Sequence, residues 1–444
     1  MEFYGMRLYK KAVCGLAALC LFGVALAGTA SISAEANEME IKPLYNIEEM
    51  LSPVWEGDTS YMESVLPVEN EYGGVDPIQL LYPIEEILSV QNAQLTVTYQ
   101  QGVDYVVSGG KLIIAEEGNI PTLSHAEYHP TTGQAGFESI EGGYVCFHEG
   151  SWYHDRQIVV TYKHSARYDG YVPEGKAELL QNVLQKLNGK EDVDLLVLGD
   201  SISVGANSSS FVGASPNLPT YTQLFKMKLE AAYGVKVNLT NPSVGGKGVL
   251  WGIEQTDVIL SKQADLDLAV IAFGMNDGSM SAAFFSDRVG AIISKINKKF
   301  PQADILLIAT MLPNKAAKKF YLNQEQFAER LLKDCEREGV AVVNMTAVHQ
   351  SLLQKKRYGD MTGNNVNHPN DYLARVYVQT LYATMQEKAV KDPDEGTMDE
   401  NSGAKQGVSI FGLFTNGCNG TASVAACGTA AAVAAVALKK KKDE

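Results

Sequence analysis

Positive charge is what this 444-residue sequence has too little of: 37 Lys and Arg face 52 Asp and Glu, for a net charge of −15 at pH 7. With a pI near 5.0, no basic field exists to gather phosphate backbones, which argues against nucleic acid as a partner. Cysteine is scarce too. Of six, Cys14 and Cys20 lie in an N-terminal apolar run and Cys418 and Cys427 in or beside a C-terminal one, leaving Cys146 and Cys335 between them. A disulfide framework is therefore not expected to hold the chain together; two buried thiols are. Disorder throughout is excluded by a 45% hydrophobic and 20% charged composition, and the length suggests two or three domains at roughly 100–200 residues each.

Both ends read as membrane signals. Arg7, Lys10 and Lys11 precede an apolar run from Ala12 to Ala27, followed by the small-residue sites Ala25-Leu26-Ala27 and Ile32-Ser33-Ala34. This is the pattern of a secretory signal peptide over residues 1–34, with an uncleaved anchor as the alternative. At the other end, Asn419 to Leu438 is uncharged, rich in Ala and Val, and stops at Lys439-Lys440-Lys441-Lys442. A transmembrane anchor over 419–438 with a cytoplasmic basic tail over 439–444 is expected, so that the rest of the chain faces outward from the cytoplasmic membrane. An Ala-rich surface helix is the alternative. The segment resembles the C-terminal anchors of Gram-positive surface proteins, without an LPxTG sorting motif.

Between the ends the period changes. Over 43–167, short runs at Gln94–Tyr99, Asp104–Val107, Lys111–Ala115, Gly143–His148 and Gln157–Tyr162 are separated by Gly102, Gly109-Gly110 and Gly142-Gly143, which predicts a small β-sandwich. Tyr168–Pro173 is a linker. Over 174–391, near-continuous apolar strands at Val193–Leu198, Val235–Asn241, Leu266–Gly274, Ile305–Met311 and Val340–Met345 alternate with helical patterns at Tyr221–Ala232, Ser281–Lys298 and Asn323–Glu338. This is an α/β doubly wound, mostly parallel sheet, whose sites form beyond the C-terminal ends of its strands. Residues 392–418 are an acidic, turn-rich spacer.

Chemistry-bearing residues fall just after those strands. Gly199-Asp200-Ser201-Ile202-Ser203 places a serine on a tight turn, Asn241–Gly248 (NPSVGGKG) is glycine-rich, Gly274-Met275-Asn276-Asp277 offers an amide, and Asn367-His368-Pro369 precedes the last helix. A serine hydroxyl needs a base to become nucleophilic, and imidazole titrates near operating pH. A tetrahedral oxyanion needs preorganised donors, which a glycine N–H and an asparagine amide supply. Taken singly, each has a bland reading: Ser201 as a helix cap, Gly245-Gly246 as a turn, Asn276 as a loop tie, His368 as a surface histidine. A phosphate cradle at Gly245–Gly248 matches neither dinucleotide nor P-loop spacing. Their conjunction at one sheet edge points to acyl transfer.

These blocks resemble the SGNH (GDSL-type) hydrolase family of esterases and lipases over roughly Asp192–Lys388, and the resemblance implies a three-layer α/β fold. It implies Ser201 as nucleophile, His368 as base and then acid, and an oxyanion hole of the Ser201 and Gly246 N–H groups with the Asn276 amide, with no metal and no cofactor. Family members carry aspartate three residues before the histidine, where this chain has Asn365. An asparagine can orient the ring but cannot balance its charge, so a dyad is expected, or a triad completed by a backbone carbonyl or a carboxylate such as Asp360. Trp251 is a candidate pocket residue, with packing as its alternative. Asp200 and Asp277 are expected to support the turns.

His125 and His129 have the i, i+4 spacing of metal ligands, but Pro121, Pro130 and Gly133 argue against a helix there. Tyr128, Tyr144, Phe147, Trp152 and Tyr153 could present sugar-stacking faces; core packing is the preferred reading. Two-domain members of the family act on acetylated carbohydrates, so the resemblance implies a small acyl ester or acetylated glycan as substrate. The competing class is a non-catalytic surface glycan-binding protein with a degenerate hydrolase domain. The sequence leaves the oligomeric state open.

Overall fold

The computed structural model of the chain describes residues 45–133 and 136–388. The expected signal peptide, spacer, anchor and basic tail lie outside the described residues. Among the described residues, no helix is long and apolar enough to cross a membrane.

A five-stranded parallel sheet organises the C-terminal part. Its strands are β6 (Val193–Gly199), β7 (Val237–Thr240), β8 (Leu268–Ala272), β9 (Asp304–Ala309) and β10 (Val340–Asn344), in the order β10-β9-β8-β6-β7. Strands β6, β8, β9 and β10 are buried on both faces, as their Val, Leu, Ile and Ala runs require, whereas the edge strand β7 (VNLT) is partly exposed. Helices Tyr221–Tyr233 and Asp371–Thr384 pack on one face, and Val249–Ser261, Ala282–Lys299 and Phe327–Asp334 on the other. This is the doubly wound arrangement, and its order reverses beside β6, whose C-terminal end carries Ser201.

The N-terminal part holds two small antiparallel sheets. Strands β1 (Thr59–Val65), β2 (Glu86–Asn92) and β5 (Ile158–Lys163) pair in the order β1-β5-β2, and β3 (Tyr105–Ser108) pairs with β4 (Lys111–Ile114). Two expected strands are replaced by loops. At Gln94–Tyr99, Asn92 Oδ1 captures the Thr96 and Val97 N–H groups at 2.9 Å each, and Leu95 has φ 58°, so the segment turns at the end of β2. At Gly143–His148, positive φ at Gly142 and Gly143 turns the chain into a loop that runs toward His368.

The two parts share a core. One hydrophobic cluster contains Val65, Leu81 and Tyr162 from the N-terminal sheets together with Val197, Met361 and Tyr377 from the α/β part. Beside it sits a fully buried ion pair, Lys356 Nζ to Glu63 Oε1 at 2.7 Å, with side-chain exposures of 1% and 0%. Glu63 also accepts from Leu81 N and Tyr162 Oη, and Lys356 also donates to the Ser64 carbonyl. Burying two charges is tolerable only with this degree of hydrogen-bond satisfaction. Cys146 and Cys335 are free and buried, and burial pushes both thiols up.

Candidate active site

The serine turn is built locally. Asp200 caps the short helix Ser201–Val204 by accepting the Ile202 N–H at 2.9 Å. Gly199 is required by close approach, since a Cβ there would lie 2.3 Å from Ser203 Oγ and 2.9 Å from the Ala272 carbonyl. Ser203 Oγ bonds Tyr221 Oη at 2.7 Å, which ties the turn to the next helix. The glycine loop rides over Ser201: Val244 N donates to the Gly199 carbonyl at 3.3 Å, and a Cβ on Gly245 would sit 3.7 Å from Ser201 Cβ. Gly246 follows with φ 72°, a left-handed conformation that favours glycine.

Asn276 lies at the same edge, with its amide already engaged. Nδ2 donates to the Lys247 carbonyl at 3.0 Å and reaches Asp200 Oδ2 at 3.5 Å. The longer contact is the one that an oxyanion could displace. Asp277 Oδ1 accepts the Val249 N–H at 2.9 Å and so fixes the helix that follows the glycine loop. Burial, and then the neighbouring Asp277 charge, push the Asp200 carboxyl up to about 7 against the opposing pull of the Ile202 N–H. Burial likewise raises Asp277, whose Oδ2 is buried without a hydrogen-bond partner among the described residues.

His368 is held differently. Asn364 Oδ1 accepts the N–H groups of Val366, Asn367 and His368 at 3.1, 3.0 and 3.1 Å, which folds the histidine segment around one side chain. The flanks of the segment are clamped from the N-terminal part. Gln157 Nε2 donates to the Gly359 and Thr362 carbonyls at 2.8 and 2.9 Å, and Asn370 Nδ2 reaches Ser64 Oγ and Gln157 Oε1 at 3.0 and 3.1 Å. Nε2 of His368 then meets Ser201 Oγ at 2.8 Å, both residues being largely buried.

The other ring nitrogen departs from the sequence-based expectation. Asn207 Oδ1 lies 2.6 Å from His368 Nδ1, and the amide orientation of Asn207 is set by its Nδ2 donating to the Gly150 carbonyl at 3.1 Å. An amide oxygen only accepts, so Nδ1 carries the proton and Nε2 is left to accept from the serine hydroxyl. Asn364 Nδ2 is also 3.0 Å from Nδ1, but its hydrogens have acceptors in Asn367 Oδ1 at 2.9 Å and Glu149 Oε1 at 3.2 Å. Glu149 Oε2 stands 3.6 Å from Nδ1, an ion-pair distance.

Asn365 and Asp360 do not orient the ring, which corrects both expectations. Asn365 has φ 60°, its Nδ2 donates to the Cys146 carbonyl at 3.2 Å, and its carbonyl takes Asn314 Nδ2 at 2.8 Å. Asp360 spends its carboxylate on Leu66 N and Arg357 N, at 2.8 Å each. Trp251 is half-buried and packs edge-on to Phe273 at 6.4 Å against the core, in keeping with the packing alternative. Asn207 and Glu149 were missed. Neither stands in a motif, and each reaches the ring only through tertiary structure.

Residues 197–376 match the model of the GDSL-like lipase/acylhydrolase family. The chain carries a GDSL-like lipase/acylhydrolase domain. The GDSL-like domain has similar solved structures at low identity. One, a two-domain esterase active on acetylated mannans and crystallised with mannopentaose, is 18% identical with a TM-score of 0.39. The similarity covers 49% of this chain and 56% of that one. A lipolytic G-D-S-L protein from Veillonella parvula is 16% identical with a TM-score of 0.34, over 43% of this chain and 95% of that one. Est24, a carbohydrate acetylesterase from Sinorhizobium meliloti, is 13% identical with a TM-score of 0.32, over 43% and 96%. No curated protein matches the chain.

Outside the GDSL-like domain, His125 does begin a single helical turn, His125–Tyr128, contrary to the expectation from the flanking prolines. A capping box between Ser124 and Glu127 stabilises it. The His125 and His129 rings contact each other at 4.6 Å, and among the described residues no group of three His, Cys, Asp or Glu could hold a metal ion. Tyr153 is buried in the core, and Trp152 lies between the His148 ring at 4.1 Å and the Arg156 guanidinium at 4.0 Å, so its faces are occupied.

Proposed function

We propose that this chain is an exported, membrane-tethered serine esterase that removes acetyl or other short acyl groups from carbohydrate. The observation that carries the chemistry is the 2.8 Å contact between Ser201 Oγ and His368 Nε2, with Nδ1 facing an acceptor. Ser201 Oγ attacks the ester carbonyl carbon while its proton passes to Nε2, and the carbonyl π pair moves onto oxygen. The Ser201 and Gly246 N–H groups and the Asn276 amide receive that oxyanion. The imidazolium then protonates the departing sugar alkoxide as the C–O bond breaks, and water repeats the sequence to release the acid and free Ser201.

The polar surroundings of the His368 ring support a short acyl group on a polar alcohol: Asn207, Asn364 and Glu149 all stand within 3.6 Å of its Nδ1. Export and tethering are supported by the charge and apolar pattern of residues 1–34 and 419–444.

Acetate release from a panel of acetylated oligosaccharides, and from p-nitrophenyl acetate, tests the reading. Wild type is expected to turn over, and Ser201→Ala to lose at least about 10³-fold in kcat with its melting temperature retained. Glycan binding without Ser201-dependent turnover would replace the esterase by the competing non-catalytic binding protein.

A further inference from the structure

We propose that Glu149, from the N-terminal part, is the charge-balancing positioning residue for His368, a role that no carboxylate at position 365 could reach from its place beside Cys146 and Asn314. The inference rests on Ser201 and His368 being the nucleophile and base.

Asn207 orients the ring at 2.6 Å, but a neutral amide cannot offset the positive charge the imidazole gains when it takes the serine proton. Glu149 can. Its Oε2 is 3.6 Å from Nδ1, and among the described residues it is the carboxylate within ion-pair range of this ring. Its other oxygen accepts from Asn364 Nδ2, the residue whose Oδ1 folds the histidine segment, so the carboxylate and the ring share one support. The loop bearing Glu149 is pinned on both sides: the Cys146 carbonyl takes Tyr153 Oη at 2.5 Å and Asn365 Nδ2 at 3.2 Å, and the Gly150 carbonyl takes Asn207 Nδ2.

The remaining titratable groups around the ring are occupied elsewhere. Ser201 faces Nε2, Asp200 holds the Ile202 N–H, and Asp371 Oδ1 holds the Ser209 N–H at 2.8 Å. Partial burial pushes the Glu149 carboxyl up, but the His368 ring and the Asn364 and Asn207 amides outweigh it, so that the net direction is down. It therefore stands beside the ring as an anion. Glu149 keeps 54% of its side-chain exposure, so water and salt screen the pair, and the coupling belongs at the low end of the range for opposite charges in contact.

The test compares Glu149→Gln with Glu149→Ala in the full chain, reading kcat, KM and the pH profile of kcat/KM on p-nitrophenyl acetate. Removing an opposite charge favours the neutral ring. The acidic limb of kcat/KM is then expected to move to lower pH by about one unit while kcat drops about tenfold and KM holds. A charge role requires both variants to shift alike. If the Asn364 hydrogen bond were all that mattered, glutamine would preserve the wild-type limb and alanine alone would lose activity, which would overturn the proposal. So would a wild-type kcat and limb in both variants. Ser201→Ala, run in parallel, separates the two claims: wild-type turnover that survives it removes the esterase reading itself, whatever Glu149 does.

Discussion

The serine and the histidine meet at 2.8 Å but are held there by opposite means. Ser201 sits on a strand–turn–helix whose supports, Gly199, Asp200 and Ser203, are its own sequence neighbours, with the glycine loop and Asn276 arriving from adjacent strands. Asn364 folds the segment around His368 locally, but the ring and the flanks of that segment are fixed from far along the chain, by Gln157, Ser64, Gly150 and Glu149 from the N-terminal part and Asn207 from the turn past the serine. A serine placed by local geometry is robust to what surrounds it. On the proposed reading of His368 as base, a histidine positioned by a separate region makes that region part of the site, so the β-rich part is more than an appendage for binding.

The largest disruption of the histidine side is expected from the buried ion pair. Lys356→Ala leaves Glu63 buried and uncompensated, at a cost of about 3–5 kcal/mol, so denaturant unfolding should show a much lower midpoint and little native enzyme at growth temperature. Replacing both partners by apolar residues of similar volume should recover most of that loss, because the penalty belongs to the unpaired charge. If Lys356→Ala unfolds at the wild-type midpoint, the two parts are less tightly joined than this core implies.

On the serine side the expected effect is milder and depends on pH. Asp200, raised to about 7 chiefly by burial, holds in the native state a proton that the unfolded chain has already released at the usual carboxylate range near 4. The native state binds more protons between those values, so this group's contribution to stability is full below pH 4 and is lost as pH rises through 7. Asp277 adds to the same slope in the same direction. Asp200→Asn keeps an acceptor for the Ile202 N–H and should flatten the fall in unfolding free energy between pH 4 and 7. An unchanged slope would mean that Asp200 ionises normally in its turn.

Asn365→Asp should do least to the chemistry. Position 365 faces the Cys146 carbonyl and Asn314, so a carboxylate there would lose a donor to Cys146 without approaching the ring. Unchanged kcat and an unmoved acidic limb are expected, with a modest loss of stability of about 1–3 kcal/mol from the broken buried contact. A gain in rate with a shifted limb would return the orienting role to position 365.

This division also separates what was legible in the sequence from what was not. The parallel sheet is readable because β6, β8, β9 and β10 are apolar without interruption, and Ser201, Gly246, Asn276 and His368 are readable because each follows a recognisable strand or precedes a helix. Strand β1, with the sequence TSYMESV, hides behind its own polar residues: Glu63 is buried only because Lys356 reaches it from 293 positions away. Asn207 and Glu149 are hidden for the same reason. A lone asparagine in a positive-φ turn and a glutamate on a loop carry no periodicity, and their partner stands at position 368. The asparagine at position 365 drew attention because it occupies the family's aspartate position, yet its left-handed backbone and its ties to Cys146 and Asn314 commit it elsewhere.

The most direct measurement is covalent labelling by a fluorophosphonate, which reacts with a serine only when a base withdraws its proton. Mass analysis should find a single adduct on Ser201, absent from Ser201→Ala and formed at least about 10²-fold more slowly in His368→Ala. An adduct on another residue, or His368→Ala labelling at the wild-type rate, would contradict the pairing of these two side chains.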